Sequence, residues 1–222
     1  MNLYLPIEIL NREFQSKLLI AMESASKGMK VYIGRVLPYL KKDHFAPGIV
    51  MQKSITPSLN RLNELKQYKK KNFIVTSLDE EVGLFNLDNN LDYLKLRYSN
   101  QSLELADRVF TWGKFDYNNL CKKFKNYKKK FILSGNPRLD FWTKNFDFFF
   151  EKKKLKYKDY IFFSLNFSFL VSKKEFNKYL IFLKDSDYVN RGFGIKEAIK
   201  QRKDSYKMFK KFSELITTLS RQ

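Results

Sequence analysis

The chain has 222 residues, 44% of them hydrophobic, with only 8 Gly and 5 Pro; that composition supports a buried core and excludes collagen-like, linker-like and disordered classes. Cys121 is the only cysteine and His44 the only histidine, so an internal disulfide and a Cys/His zinc site are both excluded, and a reducing cytoplasm fits best. The net charge of +20 is carried by lysine, since only 9 of the 43 basic residues are arginine. Arginine is what base and phosphate recognition favours, and a lysine excess beside abundant Phe, Tyr, Asn and Ile is what an A/T-rich coding sequence produces, so nucleic acid is not expected as a partner.

The first strand is expected at Leu3 to Ile7, followed by a helix from Arg12 to Lys27 with Phe14, Leu18, Leu19, Met22 and Ala25 at helical spacing and Gly28 as its stop. Val31 to Ile33 reads as a second strand, Val36 to Lys41 as a short helix, and Gly48 to Met51 as a third strand. A helix over Ser58 to Lys70 leads to a fourth strand, Asn72 to Thr76, and a helical stretch from Leu91 to Leu105 leads to a fifth, Arg108 to Thr111. Tyr117 to Phe124 is helical in pattern and Lys130 to Leu133 is the sixth strand. Such alternation predicts an α/β fold: a Rossmann-like parallel sheet of about six strands with flanking helices over residues 1–143.

From residue 144 the texture changes to a basic segment, 144–222, with one strand at Tyr160 to Leu165 and helices at Ser172 to Lys184 and Gly194 to Arg221. A single strand does not make a sheet, so this part is expected to be the mostly helical start of an incomplete second domain. Ile199, Tyr206, Phe209, Phe212, Leu215, Ile216 and Leu219 form an apolar stripe in the last helix that needs a covering surface. The charge is uneven as well: residues 1–120 hold 17 basic and 13 acidic side chains, residues 121–222 hold 26 and 10. An anionic membrane surface, a sugar nucleotide or a phosphorylated lipid would each complement the second half, and so would water alone. No apolar run reaches the roughly 18 to 20 residues that span a bilayer, and Met1 to Leu10 has no basic n-region, so neither a membrane span nor a signal peptide is expected.

Open parallel sheets bind ligands beyond the carboxyl ends of their strands, and four clusters fall there. Glu8, Arg12 and Glu13 sit at the start of the first helix, where Arg12 suits a phosphate and equally an ion pair with Glu8 or Glu13. Asp79, Glu80 and Glu81 follow the fourth strand with Gly83 nearby; crowded carboxylates raise one another's pKa, which suits a general base, while such loops are also often simply solvated. Trp112 and Gly113 follow the fifth strand, the indole free to stack on a sugar or to pack, and the glycine to make a tight turn. The run Ser134-Gly135-Asn136-Pro137-Arg138-Leu139-Asp140 follows the sixth, with Pro137 as a helix start and Arg138 and Asp140 facing a ligand or each other. There is no G-x-G-x-x-G after the first strand and no G-x-x-x-x-G-K-[ST], so dinucleotide and P-loop chemistry has no support.

Taken together, Pro6-Ile7-Glu8, Asn11-Arg12-Glu13, Leu78-Asp79-Glu80-Glu81, Thr111-Trp112-Gly113 and Ser134 to Asp140 resemble, in order and spacing, the bacterial surface carbohydrate biosynthesis proteins related to GT-B type glycosyltransferases. Leu165-Asn166-Phe167-Ser168 is a further match, with Ser164 and Leu165 standing where the family has Asn and Thr. The resemblance implies an acceptor-side domain of an enzyme that builds lipopolysaccharide, capsule or another surface glycan. It implies Glu8, Asp79, Glu80 or Glu81 as catalytic carboxylates, and Arg12, Glu13, Trp112, Gly113, Gly135, Asn136, Arg138, Asp140 and Asn166 as substrate contacts, with no metal. The family's Arg-Pro-His-Pro-like donor segment is absent, so no cofactor is expected on this chain itself and a sugar nucleotide only with a complete second domain. A glycan or lipid-linked acceptor, an anionic membrane surface and a second-domain partner chain are the implied partners, with the protein cytoplasmic or peripheral on the inner face of the cell membrane. A noncatalytic binding or assembly module is the alternative from a different class.

Overall fold

The structure, a computed structural model, describes residues 1–35, 46–80, 90–149, 172–185 and 195–219, with only the backbone described at 90–93, 149, 182–185 and 197–198. The expected helix at Val36 to Lys41, His44 and the expected strand at Tyr160 to Leu165 lie outside the described residues. Contacts divide the chain into two units, Met1–Lys152 and Lys153–Gln222.

The first unit is built on six parallel strands: β1 (Asn2–Pro6), β2 (Lys30–Gly34), β3 (Ile49–Gln52), β4 (Ile74–Leu78), β5 (Arg108–Thr111) and β6 (Phe131–Leu133). They lie in the order β2-β1-β3-β4-β5-β6, and neighbouring strands all pair in parallel, Leu3 facing Val31 on one side and Ile49 on the other. Helices flank this sheet: α1 (Leu10–Ser26), α2 (Leu59–Lys70), α3 (Asn90–Arg97), α4 (Asn100–Leu105), α5 (Lys114–Lys123) and the single turn α6 (Pro137–Asp140). The Rossmann-like α/β arrangement expected from the alternation is therefore present.

Strand alternation sends neighbouring residues to opposite faces. Tyr4, Val50, Val75, Val109 and Phe131 enter a core closed by Leu65 and Tyr68 of α2, Leu94 of α3, Leu103 of α4 and Leu120 of α5. Leu3 and Leu5 point the other way, to Ala21 and Ile20 of α1. Here α1 departs from the expected stripe. Its buried residues are Glu13, Ser16, Lys17 and Ala21, whereas Phe14 and Met22 are exposed. The helix thus presents a polar flank to the carboxyl edge of the sheet and an apolar flank only farther along.

Three other boundaries differ from expectation for local reasons. The fourth strand starts two residues late because Asn72 takes a left-handed φ of 58° at the end of the α2 turn, and it continues through Ser77 and Leu78, buried although Ser77 is polar. The single helix expected over 91–105 is two, because Ser99 and Ser102 form a reciprocal capping box that starts α4. Helix α5 begins at Lys114, and the run Lys125–Lys130 is a tight 3-10 turn.

The second unit contains α7 (Lys173–Asp185) and α8 (Ile195–Leu219). The Arg202 guanidinium of α8 lies over the Phe176 ring of α7, 4.5 Å from its centroid.

Candidate functional site

In a parallel sheet with this strand order the chain leaves β1 toward β2 and returns to the opposite side of β1 as β3. The two loops after β1 and β3 therefore diverge and leave a crevice at the carboxyl edge. A cleft of about 210 Å³ opens there, lined by Pro6, Ile7, Glu8, Arg35, Gln52, Lys53, Arg61, Glu64 and Tyr68.

Its polar wall is held together from both sides. Ile9, the residue before α1, has no side chain able to cap the helix, and Glu13 does so instead. Its buried carboxylate accepts the backbone N–H groups of Glu8 at 2.9 Å and Ile9 at 3.2 Å. Lys53, directly after β3, pairs with Glu8 and lies 3.8 Å from Glu13. Arg12 pairs with Glu13 at 3.4 Å, one of the ion pairs open to it from the sequence. On the α2 side Arg61 donates to Gln52 at 2.9 Å and pairs with Glu64, and the Tyr68 hydroxyl donates to the same carboxylate at 3.2 Å. Burial, with Glu64 adding, pushes the Tyr68 phenol up and keeps it a donor.

Glu8 is the exposed acid of this cleft, its side chain 60% accessible. The hydrogen bond from Lys53 holds it below the usual carboxylate range, with Arg61 and Arg12 pulling the same way and partial burial opposing them. Arg35 lines the same cleft and makes no ion pair among the described residues.

The carboxyl end of β4 is built differently. Asp79 is 1% exposed and receives a two-pronged grip from Arg97 of α3, 2.8 Å from Nε and 2.6 Å from Nη2. Glu80 is clamped between Lys17 of α1, 3.0 Å away, and Arg138 of α6. The Lys17 contact is an ion pair without hydrogen-bond geometry, and Lys17 Nζ, Asn136 Nδ2 and Arg138 Nε are buried donors with no hydrogen-bond acceptor among the described residues. Of the two roles open to Arg138 and Asp140, the pair with each other does not form, since Arg138 turns to Glu80 while Asp140 is exposed.

Trp112 is half-buried, and its indole N–H donates to the Asp79 carbonyl, the packing role rather than an open stacking platform. Its backbone N–H donates to Asp116 at 3.4 Å. Burial pushes the Asp116 carboxyl up to about 6, with nearby Asp79 adding and the Trp112 N–H opposing. Gly113 has an extended φ of −174° that any residue adopts, so the tight turn expected of it is not made. Gly135 does need to be glycine, at a φ of 85°, and Asn136 caps α6 by accepting the Arg138 N–H at 2.9 Å. Glu81, Gly83 and Asn166 lie outside the described residues.

The chain matches no family model, no curated protein and no solved structure.

Of the expected site residues, Glu8, Arg12 and Glu13 meet at the β1/β3 crevice, whereas Asp79, Glu80, Trp112, Asn136 and Arg138 meet at the β4–β6 end. Sequence reasoning missed Lys53, Arg61, Glu64, Lys17, Arg97 and Asp116. Lys53 was within reach, because it follows the third strand directly and the strand-end rule applies there as well. Lys17 stands four residues after Glu13, an oppositely charged pair on one helix face. Arg97 carries no local signal.

Proposed function

We propose that this is a glycosyltransferase-like protein of surface polysaccharide or lipopolysaccharide biosynthesis, holding its acceptor in the crevice between β1 and β3. The observation that supports it is the position of Glu8: among the described candidate carboxylates it alone combines an exposed side chain with a cleft at the point where strand order reverses. In this reading the acceptor hydroxyl lies against Glu8, which takes its proton as the oxygen bonds to the anomeric carbon of the donor sugar. The bond from that carbon to the phosphate oxygen breaks, and its electron pair leaves with the nucleotide. Lys53 keeps Glu8 ionised, and Arg35 and Arg61 favour an acceptor bearing negative charge. The sugar nucleotide is held by a second α/β domain, on a longer form of the chain or on a partner, and the protein works in the cytoplasm against the inner face of the membrane.

The test uses the full chain with radiolabelled nucleotide sugars and bacterial membranes as the acceptor source. Transfer is expected once the donor domain is supplied with the chain, as its longer form or its partner, and Glu8→Gln should lower it by about 10² to 10⁴-fold with an unchanged far-ultraviolet circular dichroism spectrum. Undiminished transfer by Glu8→Gln overturns the assignment of the base.

A second reading, a noncatalytic binding or assembly module, is favoured by one observation: Glu8, Asp79 and Glu80 are all engaged in ion pairs, an arrangement suited to holding a ligand or a fold rather than to moving protons. Saturable acceptor binding without transfer from any donor would select it.

A further inference from the structure

The 25 residues of α8, Ile195–Leu219, gather their lysines on one side of the helix. At 100° per residue, Lys196, Lys200, Lys203, Lys207, Lys210 and Lys211 all fall within an arc of about 100°, and each is exposed. Glu214 is the only acid projecting in that arc. The rest of the circumference carries Ile199, next to Lys210, and Met208, Leu215, Ile216 and Leu219, which are 41%, 50%, 46%, 42% and 38% exposed; Arg202 falls within this arc, over the Phe176 ring of α7, and Asp204 lies beside Lys211. Lys210 and Lys211 border this apolar arc on its two sides. No helix of the described residues is long and apolar enough to cross a membrane.

We propose that α8 is an interfacial helix, lying flat on an anionic lipid surface with the part of its apolar arc that α7 leaves exposed among the acyl chains. A surface of this kind uses both faces at once. The apolar arc leaves water, and the lysines, carried on a helix about 10 Å across, remain within about one Debye length of the lipid charge. A second copy of the chain is disfavoured by charge, since each copy brings a half with 26 basic and 10 acidic residues. A nucleic acid would engage the lysines and leave the apolar arc in water. The inference rests on the placement at a membrane face proposed above, to which it adds the contacting element, and it makes no use of the cleft.

The experiment is co-sedimentation of the full chain with vesicles of phosphatidylcholine alone and of an equimolar mixture with phosphatidylglycerol. Binding is expected only to the mixed vesicles, and should be largely lost at about 0.5 M salt. Replacing three lysines together, Lys203→Gln, Lys207→Gln and Lys210→Gln, should weaken it about 100-fold. Glu214→Lys, which adds to the arc and removes no side-chain hydrogen bond or ion pair among the described residues, should tighten it about fivefold. Binding that survives the lysine replacements overturns the role of α8 and leaves the membrane placement standing; failure to bind either vesicle overturns both. Tighter binding to duplex DNA than to the mixed vesicles, or a dimer in sedimentation velocity that Leu215→Ser abolishes, also overturns the proposal. The readout is binding alone, so absence of sugar transfer leaves the result intact.

Discussion

The carboxyl edge of the sheet carries two clusters of the same ingredients, acidic side chains facing Lys and Arg, and they differ in access to water. At β1/β3 the Glu8 side chain is 60% exposed, and its partner Lys53 stands beside a cleft. At β4 the Asp79 and Glu80 side chains are 1% and 4% exposed and are gripped from α1, α3 and α6. An ion pair in water is worth little and is easily exchanged for a ligand, whereas one inside the protein cannot lose a partner without leaving a bare charge. The first cluster is therefore suited to exchange, and the second to joining helices to strands.

Removing one partner from each cluster separates the two most sharply. Arg97→Ala leaves Asp79 buried and without its two-pronged grip, and should cost about 3–5 kcal/mol, read from the urea midpoint. A loss below about 1 kcal/mol, the scale of an exposed pair, would mean that the β4 cluster is as exchangeable as the cleft.

Asp116 tests the closed side through pH. Its carboxyl titrates near 6 in the folded chain against an ordinary 3.8, so between these values the folded state binds more protons than the unfolded one. The associated stability is fully present below the lower value and is lost as pH rises through the upper. The loss is on the order of 3 kcal/mol, and Asp116→Asn should abolish this slope and raise the melting temperature at pH 8. A slope that persists in Asp116→Asn assigns it to another group.

Tyr68→Phe removes the hydroxyl that donates to Glu64 at the floor of the cleft and should cost about 1 kcal/mol in the same urea titration. Glu8→Gln should move the midpoint least, by under about 1 kcal/mol; a larger loss would place Glu8 with the structural acids of β4 rather than with a ligand site.

The layered α/β plan was legible because each strand is a short apolar run flanked by turn residues, and Arg108 to Thr111 matches β5 residue for residue. The buried flank of α1 was not legible. Periodicity weighs apolarity and pointed to Phe14 and Met22, whereas the sheet edge receives Glu13 and Lys17, whose charges are satisfied by Lys53 and Glu80 from other parts of the chain. Pairings over such separations leave no trace in spacing. For the same reason the acids after β4 read as a candidate base: their sequence shows three adjacent carboxylates, and only the fold brings Lys17, Arg97 and Arg138 to two of them. Glu8 and Lys53 each close a strand, so their meeting follows from topology once the order of strands is known.

The Glu80 clamp also has a bearing on the order in which the protein is made. Its lysine lies near the start of the chain and its arginine at position 138, so the acid emerges from the ribosome long before its second cation does. A nascent chain stopped before Pro137 holds strands β1 to β6 yet leaves Glu80 with one counterion, and α1 without the turn that packs on it. Released fragments ending before Pro137 should be cut readily by protease, and fragments extended past Asp140 should resist. The turn Pro137–Asp140 thus acts as a latch that closes only when all six strands of the sheet have been made.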